Sequence, residues 1–157
     1  MQDVIEQYAG GGEKLRRAIA GLSEKELKAF PVAGTWSIQQ IVIHLTDSDA
    51  IWVSRMKQMI AEDRPLIMGY DESDWAAHLL CDYQSAADAV TLFDLNRIQF
   101  ARVLKRLPES GFERKGIHSE RGEISVGHSL KMMVEHVDHH LKFIYEKRAK
   151  LGKPLKD

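Results

Sequence analysis

Four long stretches of this sequence repeat their apolar residues with the period of an α-helix. They cover residues 3–22, 37–61, 85–107 and 125–151, and no segment alternates apolar and polar residues over a useful length for a β-strand. Apolar residues three and four positions apart form a stripe along a helix, and this stripe has to be buried against another element. We therefore expect an all-α fold, a four-helix bundle with a long crossover between the second and third helices.

The ends of these helices carry sequence signals. Ser37 with Gln40 is a capping-box pattern at the start of the second helix, and Ser125 is the expected N-cap of the fourth. Gly152 supplies the stop of the fourth helix. Residues 10–12 are three glycines, each of which costs about 1 kcal/mol in a helix interior, so we expect a break or bend there.

The third helix and the two long connections are less regular. We expect the third helix to pack through one face: Ala89, Leu92, Phe93, Asn96, Phe100, Val103 and Leu107. Residues 62–84 predict an irregular crossover with a short helix at 73–80, and Asp71, Glu72 and Asp74 in it are best explained as a solvated acidic loop. Residues 108–124 are polar and rich in glycine, which predicts a connecting loop or a small hairpin.

Length and composition place the chain among soluble globular proteins. Its 157 residues predict one domain over 1–157, and 44% hydrophobic with 29% charged residues is typical of that class. A net charge of -1 gives no basic surface for nucleic acid, and no apolar run approaches the roughly 18 residues that span a bilayer. We expect a cytoplasmic protein that binds neither nucleic acid nor membrane.

Two further sequence features bear on whether the chain has another binding site. The single cysteine, Cys81, excludes a disulfide framework and a thiolate zinc site, and is expected to be a small buried residue. A cluster of cations near the C-terminus is expected to complement the helix dipole and to keep the helix end solvated, rather than to bind phosphate: Lys147, Arg148, Lys150, Lys153 and Lys156.

The histidines carry the strongest chemical signal. His136 and His140 are four residues apart on the fourth helix, so their rings lie one turn apart on one face. His44 lies on the apolar face of the second helix, where an unpartnered polar ring is costly. If the two helices pack together, three imidazoles converge and leave an open coordination position on a metal ion. An ordinary core without metal is the alternative. His139 competes with His140, but it is predicted to lie on the polar face.

The histidines and the residues around them resemble the sequence pattern of a known family. Gly34-Thr35-Trp36-Ser37 leading into Ile43-His44-Leu45, followed by the stretch from Glu135-His136 to His139-His140, resembles the DinB-like superfamily with its YfiT-like metal-dependent hydrolases. The resemblance implies a four-helix bundle that holds a divalent metal, zinc or nickel, through His44, His136 and His140. It also implies a small-molecule substrate, in several members a low-molecular-weight thiol such as bacillithiol or mycothiol, and a homodimer without DNA binding. Many relatives carry a glutamine where this chain has Phe143.

Two reactions and one non-catalytic role are consistent with such a site. A metal ion on three neutral histidines lowers the pKa of bound water to roughly 7, which supports a hydrolase, and it deprotonates a bound thiol, which supports a thiol S-transferase. Asp47, one turn after His44, is a candidate to orient a ligand or to act as a base. The alternative is a helical bundle that binds a metal or a small molecule without catalysis.

Overall fold

A four-helix bundle forms the body of the molecule. The computed structural model describes residues 1–155. In chain order the elements are α1 (Gln2–Ala9), α2 (Gly11–Ile19), α3 (Glu24–Leu27), α4 (Ile38–Ala61), β1 (Leu66–Ile67), α5 (Glu72–His78), a 3-10 turn (Cys81–Tyr83), α6 (Ala86–Leu104), α7 (Glu109–Phe112), β2 (Lys115–His118), β3 (Gly122–Ser125) and α8 (Val126–Lys150).

The four long units of the bundle are the broken pair α1–α2 and the helices α4, α6 and α8. The pair α1–α2 packs against α6 and α8, and α4 packs against the same two helices from the other side. The crossover from α4 to α6 carries β1 and α5, so the predicted architecture with its long second connection is confirmed. Because α4 and α8 are neighbours, residues on their facing sides meet inside the bundle.

The predicted helix ends also appear in the structure. The backbone N–H of Gln40 donates to Ser37 Oγ at 3.1 Å, and the backbone N–H of Ser37 donates to Gln40 Oε1 at 2.9 Å. This reciprocal pair satisfies two backbone donors that no helical bond could satisfy, and fixes where α4 begins. Ser125 caps α8 by accepting from the backbone N–H of His128 at 3.2 Å.

The helix breaks at Gly10 as expected, and Gly11 and Gly12, which begin α2, let the chain approach α6. A Cβ atom at Gly11 would lie 2.4 Å from Arg97 Nη1, and one at Gly12 would lie 2.1 Å from Asp94 Oδ1. Residues without a Cβ are therefore needed where the break in the first helix meets α6.

A buried ion pair lies at the centre of the bundle. The Nε of Arg97 donates to Asp49 Oδ1 at 2.8 Å, and both side chains are fully buried. The two terminal nitrogens of Arg97 donate to the carbonyls of Tyr8 and Met133, and Asn96 donates to the second oxygen of Asp49 at 2.7 Å. Because its groups are hydrogen-bonded, the pair links α1, α4, α6 and α8 without an unsatisfied charge.

The packing face of α6 differs from the prediction. Leu92 and Val103 are 59% and 45% exposed, and Leu107 is only partly buried. The buried face instead consists of Ala86, Val90, Phe93, Arg97, Phe100, Ala101 and Leu104. The prediction of Leu92 and Val103 was wrong because a charged residue, Arg97, occupies the middle of the buried face. A pattern that counts only apolar residues does not include Arg97, and it therefore assigns the buried face to a different side of the helix.

The connections hold a small sheet and short helices. Residues 115–125 form the predicted hairpin, with β2 antiparallel to β3, and β1 adds to β2 in parallel, which was not predicted. The short helices α3 and α7 were not predicted either, and α5 covers Glu72–His78 rather than residues 73–80. Among the described residues, none of the helices combines the length and hydropathy that crossing a membrane requires.

The C-terminal cations are not all solvated, contrary to expectation. Lys147 and Arg148 are buried, and Arg148 Nη1 donates to the carbonyls of Ala18 and Ala20 at 3.0 Å each. The guanidinium thus satisfies carbonyls at the C-terminal end of α2. Both side chains are long enough to pack along the bundle while their charged ends reach a polar partner. Lys156 of this cluster lies outside the described residues.

Candidate metal centre

Three histidine rings meet between α4 and α8. His44 is buried on α4, and His136 and His140 lie half-buried, one turn apart on α8. One ring nitrogen from each of the three lies within 4.8 Å of the other two, and His44 Nε2 is 3.1 Å from His136 Nε2. The i, i+4 spacing aligns two of the rings, and the packing of α4 on α8 brings the third. The structure therefore brings together the three residues that the sequence singled out.

Burial keeps the three imidazoles neutral near pH 7. It lowers the pKa of His44 to about 4 and that of His140 to about 4. It lowers the pKa of His136 to about 3, with further contributions from the neighbouring histidines and from Arg97. A neutral ring keeps a lone pair available, and a cluster that resists protonation is one that accepts a metal cation.

The donor set fits a divalent metal ion. Nδ1 of His140 is buried and has no hydrogen-bond partner among the described residues, which is costly for a polar atom. Trp36 lies against the rings of His44 and His140, at centroid distances of 5.0 and 6.5 Å, and covers this side of the cluster. Three converging imidazoles with an unpartnered nitrogen are the ligand set of zinc and nickel sites.

His139 and Phe143 lie outside the cluster of ring nitrogens. His139 is exposed, and its ring packs edge-on against His140 at 5.3 Å and against Phe143 at 4.9 Å. Phe143 is 41% exposed. The preference for His140 over His139 thus agrees with the geometry, and Phe143 adds an apolar edge beside His140.

A cavity of about 300 Å³ opens beside the histidines. Its wall includes His136 and His140 together with groups from α4, the crossover and the hairpin: Ser48, Trp52, Arg55, Gly69, Tyr70, Glu72, His118, Glu120, Arg121, Met132, Met133 and His139. The volume is that of a small-molecule site, and its wall combines apolar rings with charged groups. A small ligand inside it would contact the histidine cluster.

Two carboxylates lie near His44. Oε2 of Glu72 is 3.9 Å from His44 Nε2, although the Glu72 side chain is 60% exposed. Glu72 is the first residue of α5, and Asp71 is the N-cap of this helix. The acidic cluster was expected to be a solvated loop, but its residue Glu72 has its carboxylate near the histidines. Asp47 lines a small cleft with His44, and burial raises the pKa of its carboxyl. No hydrogen bond joins Asp47 to the three histidines within residues 1–155, and its role stays a prediction.

Sequence reasoning missed most of the cavity wall. Ser48, Trp52 and Arg55 follow His44 at intervals of four, four and three residues, which places all four on one face of α4. That spacing was visible in the sequence. Glu72, Tyr70 and the residues of the hairpin were not predictable, because they come from connections whose path has no periodic signal.

A second, more apolar groove lies on the other side of His140. It measures about 180 Å³ and is lined by Thr35, Trp36, Ile41, His140, Phe143 and Lys147. Lys147 donates to Thr35 Oγ1 at its edge, and burial lowers the pKa of Lys147. His140 therefore separates a polar cavity from an apolar groove.

Comparison with known proteins agrees with this fold and identifies the family of the chain. The family model of the DinB superfamily matches residues 7–144, so the chain belongs to the DinB superfamily. Among similar proteins, a "putative metal-dependent hydrolase" of Bacillus licheniformis is 32% identical over 88% of this chain and 79% of its own length. One of the same description from Oceanobacillus iheyensis is 30% identical over 83% of this chain and 75% of its own length.

A solved structure shares the fold. YfiT from Bacillus subtilis, described as "a probable metal-dependent hydrolase with an unusual four-helix bundle topology", superposes with a TM-score of 0.90. The match covers 96% of this chain and 87% of YfiT at 24% sequence identity. The bundle with its long crossover is therefore the YfiT-like topology.

Proposed function

We propose that this chain is a divalent-metal-dependent hydrolase of small molecules. His44, His136 and His140 would hold the ion, with zinc or nickel as the metals that suit three imidazoles. The observation that carries the proposal is the convergence of three neutral histidine rings at the wall of a cavity of about 300 Å³. The names of the similar proteins from Bacillus licheniformis and Oceanobacillus iheyensis support the same class.

The side chains of the chain itself supply the remaining parts of a hydrolytic site. When bound, the ion would act as a Lewis acid that lowers the pKa of water at its open position. Glu72 Oε2 is placed to accept a proton beside His44, because it lies 3.9 Å from His44 Nε2. Trp36 lies against the ring of His44, and Trp52 and Met133 give the cavity apolar walls beside the cluster.

Thiol transfer is a second candidate, favoured by the apolar groove. A transferase needs room for two reactants, and His140 lines both the polar cavity and the groove that contains Trp36 and Phe143. In this case a low-molecular-weight thiol would occupy one space and an apolar electrophile the other. The ion would then favour the thiolate form of the thiol.

The proposal is tested by turnover of the metal-loaded chain. Purified without an affinity tag and loaded with zinc or nickel, it is assayed on chromogenic carboxylic and phosphoric esters, and on a haloarene with a small thiol. We expect ester hydrolysis in the parent chain and in His128→Ala, an exposed histidine of α8, and none in His136→Ala. Equal turnover in His136→Ala would contradict the proposal, and turnover with the thiol and haloarene alone would favour the transferase.

A further inference from the structure

Arg55 is a buried cation in the wall of the cavity. Only 6% of its surface is exposed, and its guanidinium lies 4.5 Å from the centre of the Trp52 ring. One terminal nitrogen, Nη2, donates to the carbonyl of Met68. Arginine has five N–H donors, so most of them have no acceptor within the described part of the chain.

The charge of Arg55 lacks a partner of opposite sign. In residues 1–155 no carboxylate forms an ion pair with it, although such pairs hold other arginines, as Asp49 holds Arg97. Burial and, less strongly, the positive charge of Arg121 lower the pKa of Arg55, while the nearby Tyr70 and Glu120 act to raise it. None of its nitrogens is both enclosed and without a hydrogen-bond partner among the described residues, so the free donors of Arg55 face the cavity. Burial removes part of the hydration of this charge, and a negative charge from a ligand would offset that loss.

The acidic groups of the same cavity form no ion pair with Arg55 in residues 1–155, although the charge of Glu120 acts on it. Glu72 and Glu120 are both exposed, whereas Arg55 is buried. Glu72 approaches His44, at 3.9 Å, and lies in no ion pair with an arginine of the described chain. The cavity thus has exposed acidic groups at its wall and, in Arg55, a buried cation with no directly paired carboxylate in the described chain.

His118 adds a neutral donor beside Arg55. Its ring is buried and stacks on Trp52 at 5.9 Å, and its Nδ1 accepts from the backbone N–H of Glu120 at 3.2 Å. Because Nδ1 accepts, the ring proton lies on Nε2. Nε2 has no acceptor among the described residues and is not enclosed, so it is free to donate to a ligand in the cavity.

Arg55 and the histidine cluster share one face of α4. Arg55 lies eleven positions after His44, which is about 16 Å along the helix axis. Long side chains on a helix lean towards its N-terminus, and the guanidinium of Arg55 lies over the ring of Trp52, one turn nearer to His44. A ligand that reaches both ends of the cavity therefore has its anionic group several bonds from the part that meets the histidines.

We propose that the cavity binds a small molecule through a carboxylate or phosphate group, held by Arg55 with His118 and Arg121 and separated by several bonds from its reacting group. Only the position of the reacting group rests on the proposed metal-dependent function. The anion site itself consists of side chains outside the histidine cluster, so it can be tested whether or not a metal is bound.

Calorimetric titration with two probes tests the anion site. Succinate and inorganic phosphate are titrated into the parent chain, Arg55→Gln, Arg102→Gln and His136→Ala, and metal content is measured on each. Arg102 is the matched control, because it is exposed on α6, outside the cavity wall, and its side chain donates to Gln99 Oε1. The anion that binds the parent more tightly identifies the group that the site prefers.

We expect Arg55→Gln to weaken binding of that anion by at least about tenfold, since charged hydrogen bonds are lost. Arg102→Gln should bind as the parent does, and both variants should keep the parent's metal content. Binding that survives in Arg55→Gln and disappears in His136→Ala would locate the anion at the histidines and overturn the inference. So would a parent chain that binds neither probe.

Two further variants cover a failure of Arg55→Gln to fold, which thermal unfolding would reveal. Arg55→Lys keeps the charge but loses the planar donor pair, and His118→Ala removes one donor. Unchanged affinity in both would overturn the inference, and weaker binding in both would support it. A parent chain that holds no metal but binds an anion through Arg55 would support this inference while contradicting the proposed function.

Discussion

At the scale of single residues, adjacent positions on α8 have opposite environments. His140 lies half-buried between Trp36 and His44, and His139 faces solvent. One residue along a helix is a rotation of 100°, which is enough to move a ring from the cluster to the surface. The sequence could distinguish the two because His140 continues an apolar stripe. It could not identify Glu72, because no spacing relates a crossover residue to a ring on α4.

Glu72 is expected to matter for turnover and not for metal content. Glu72→Gln keeps the shape of the side chain but removes the proton acceptor at Oε2, so hydrolysis should fall by about 100-fold or more. The matched control is Asp74→Asn, two residues further along α5, which should retain activity. Both variants are compared with the parent by steady-state kinetics and elemental analysis. Undiminished turnover in Glu72→Gln would rule out its role as a proton acceptor.

At the scale of elements, the position of α4 against α6 and α8 depends on a polar centre. The pair of Arg97 and Asp49 fixes how α4, α6 and α8 face each other, and Met133, which accepts from Arg97, lies one turn before His136 and Val137. The sequence predicted which long segments are helices, because that depends on periodicity. It misplaced the face of α6, because an inward arginine breaks the apolar pattern.

A substitution at the glycine break between α1 and α2 tests this packing. Gly11→Ala would place a Cβ 2.4 Å from Arg97 Nη1, and that guanidinium cannot move freely because Asp49 holds it. We expect a loss of about 1–3 kcal/mol in the free energy of unfolding, measured by urea denaturation. Gly10→Ala is the control, since its backbone has φ -75° and a Cβ there has its nearest neighbour at 3.4 Å. It should not lower stability, and equal losses in both variants would contradict the account.

At the scale of the whole molecule, the candidate metal site joins the two halves of the chain. His44 comes from one half of the chain and His136 with His140 from the other, so an ion at this point links α4 to α8. The bundle was predictable because four long amphipathic segments have few other ways to bury their stripes. The two-residue strand β1 was not, because it is too short to carry a period. The homodimer and the cytoplasmic location stay predictions.

Because an ion at this site would link α4 to α8, we expect bound metal to stabilise the fold. Dialysis of the loaded chain against a chelator should lower its free energy of unfolding, by about 2.7 kcal/mol if free metal had been one hundred times its Kd. Thermal and urea unfolding before and after dialysis measure the change. His136→Ala should show no effect of the chelator. Identical unfolding of the loaded and stripped parent chain would contradict a metal that bridges the two helices.

The metal content of single-histidine variants tests the central claim most directly. The parent chain and His139→Ala, both purified without an affinity tag, should each contain about one zinc or nickel ion per chain, as a single three-histidine site requires. His44→Ala, His136→Ala and His140→Ala should each contain essentially none. A parent chain without metal, or a site that is emptied by His139→Ala and remains filled in His140→Ala, would contradict the account.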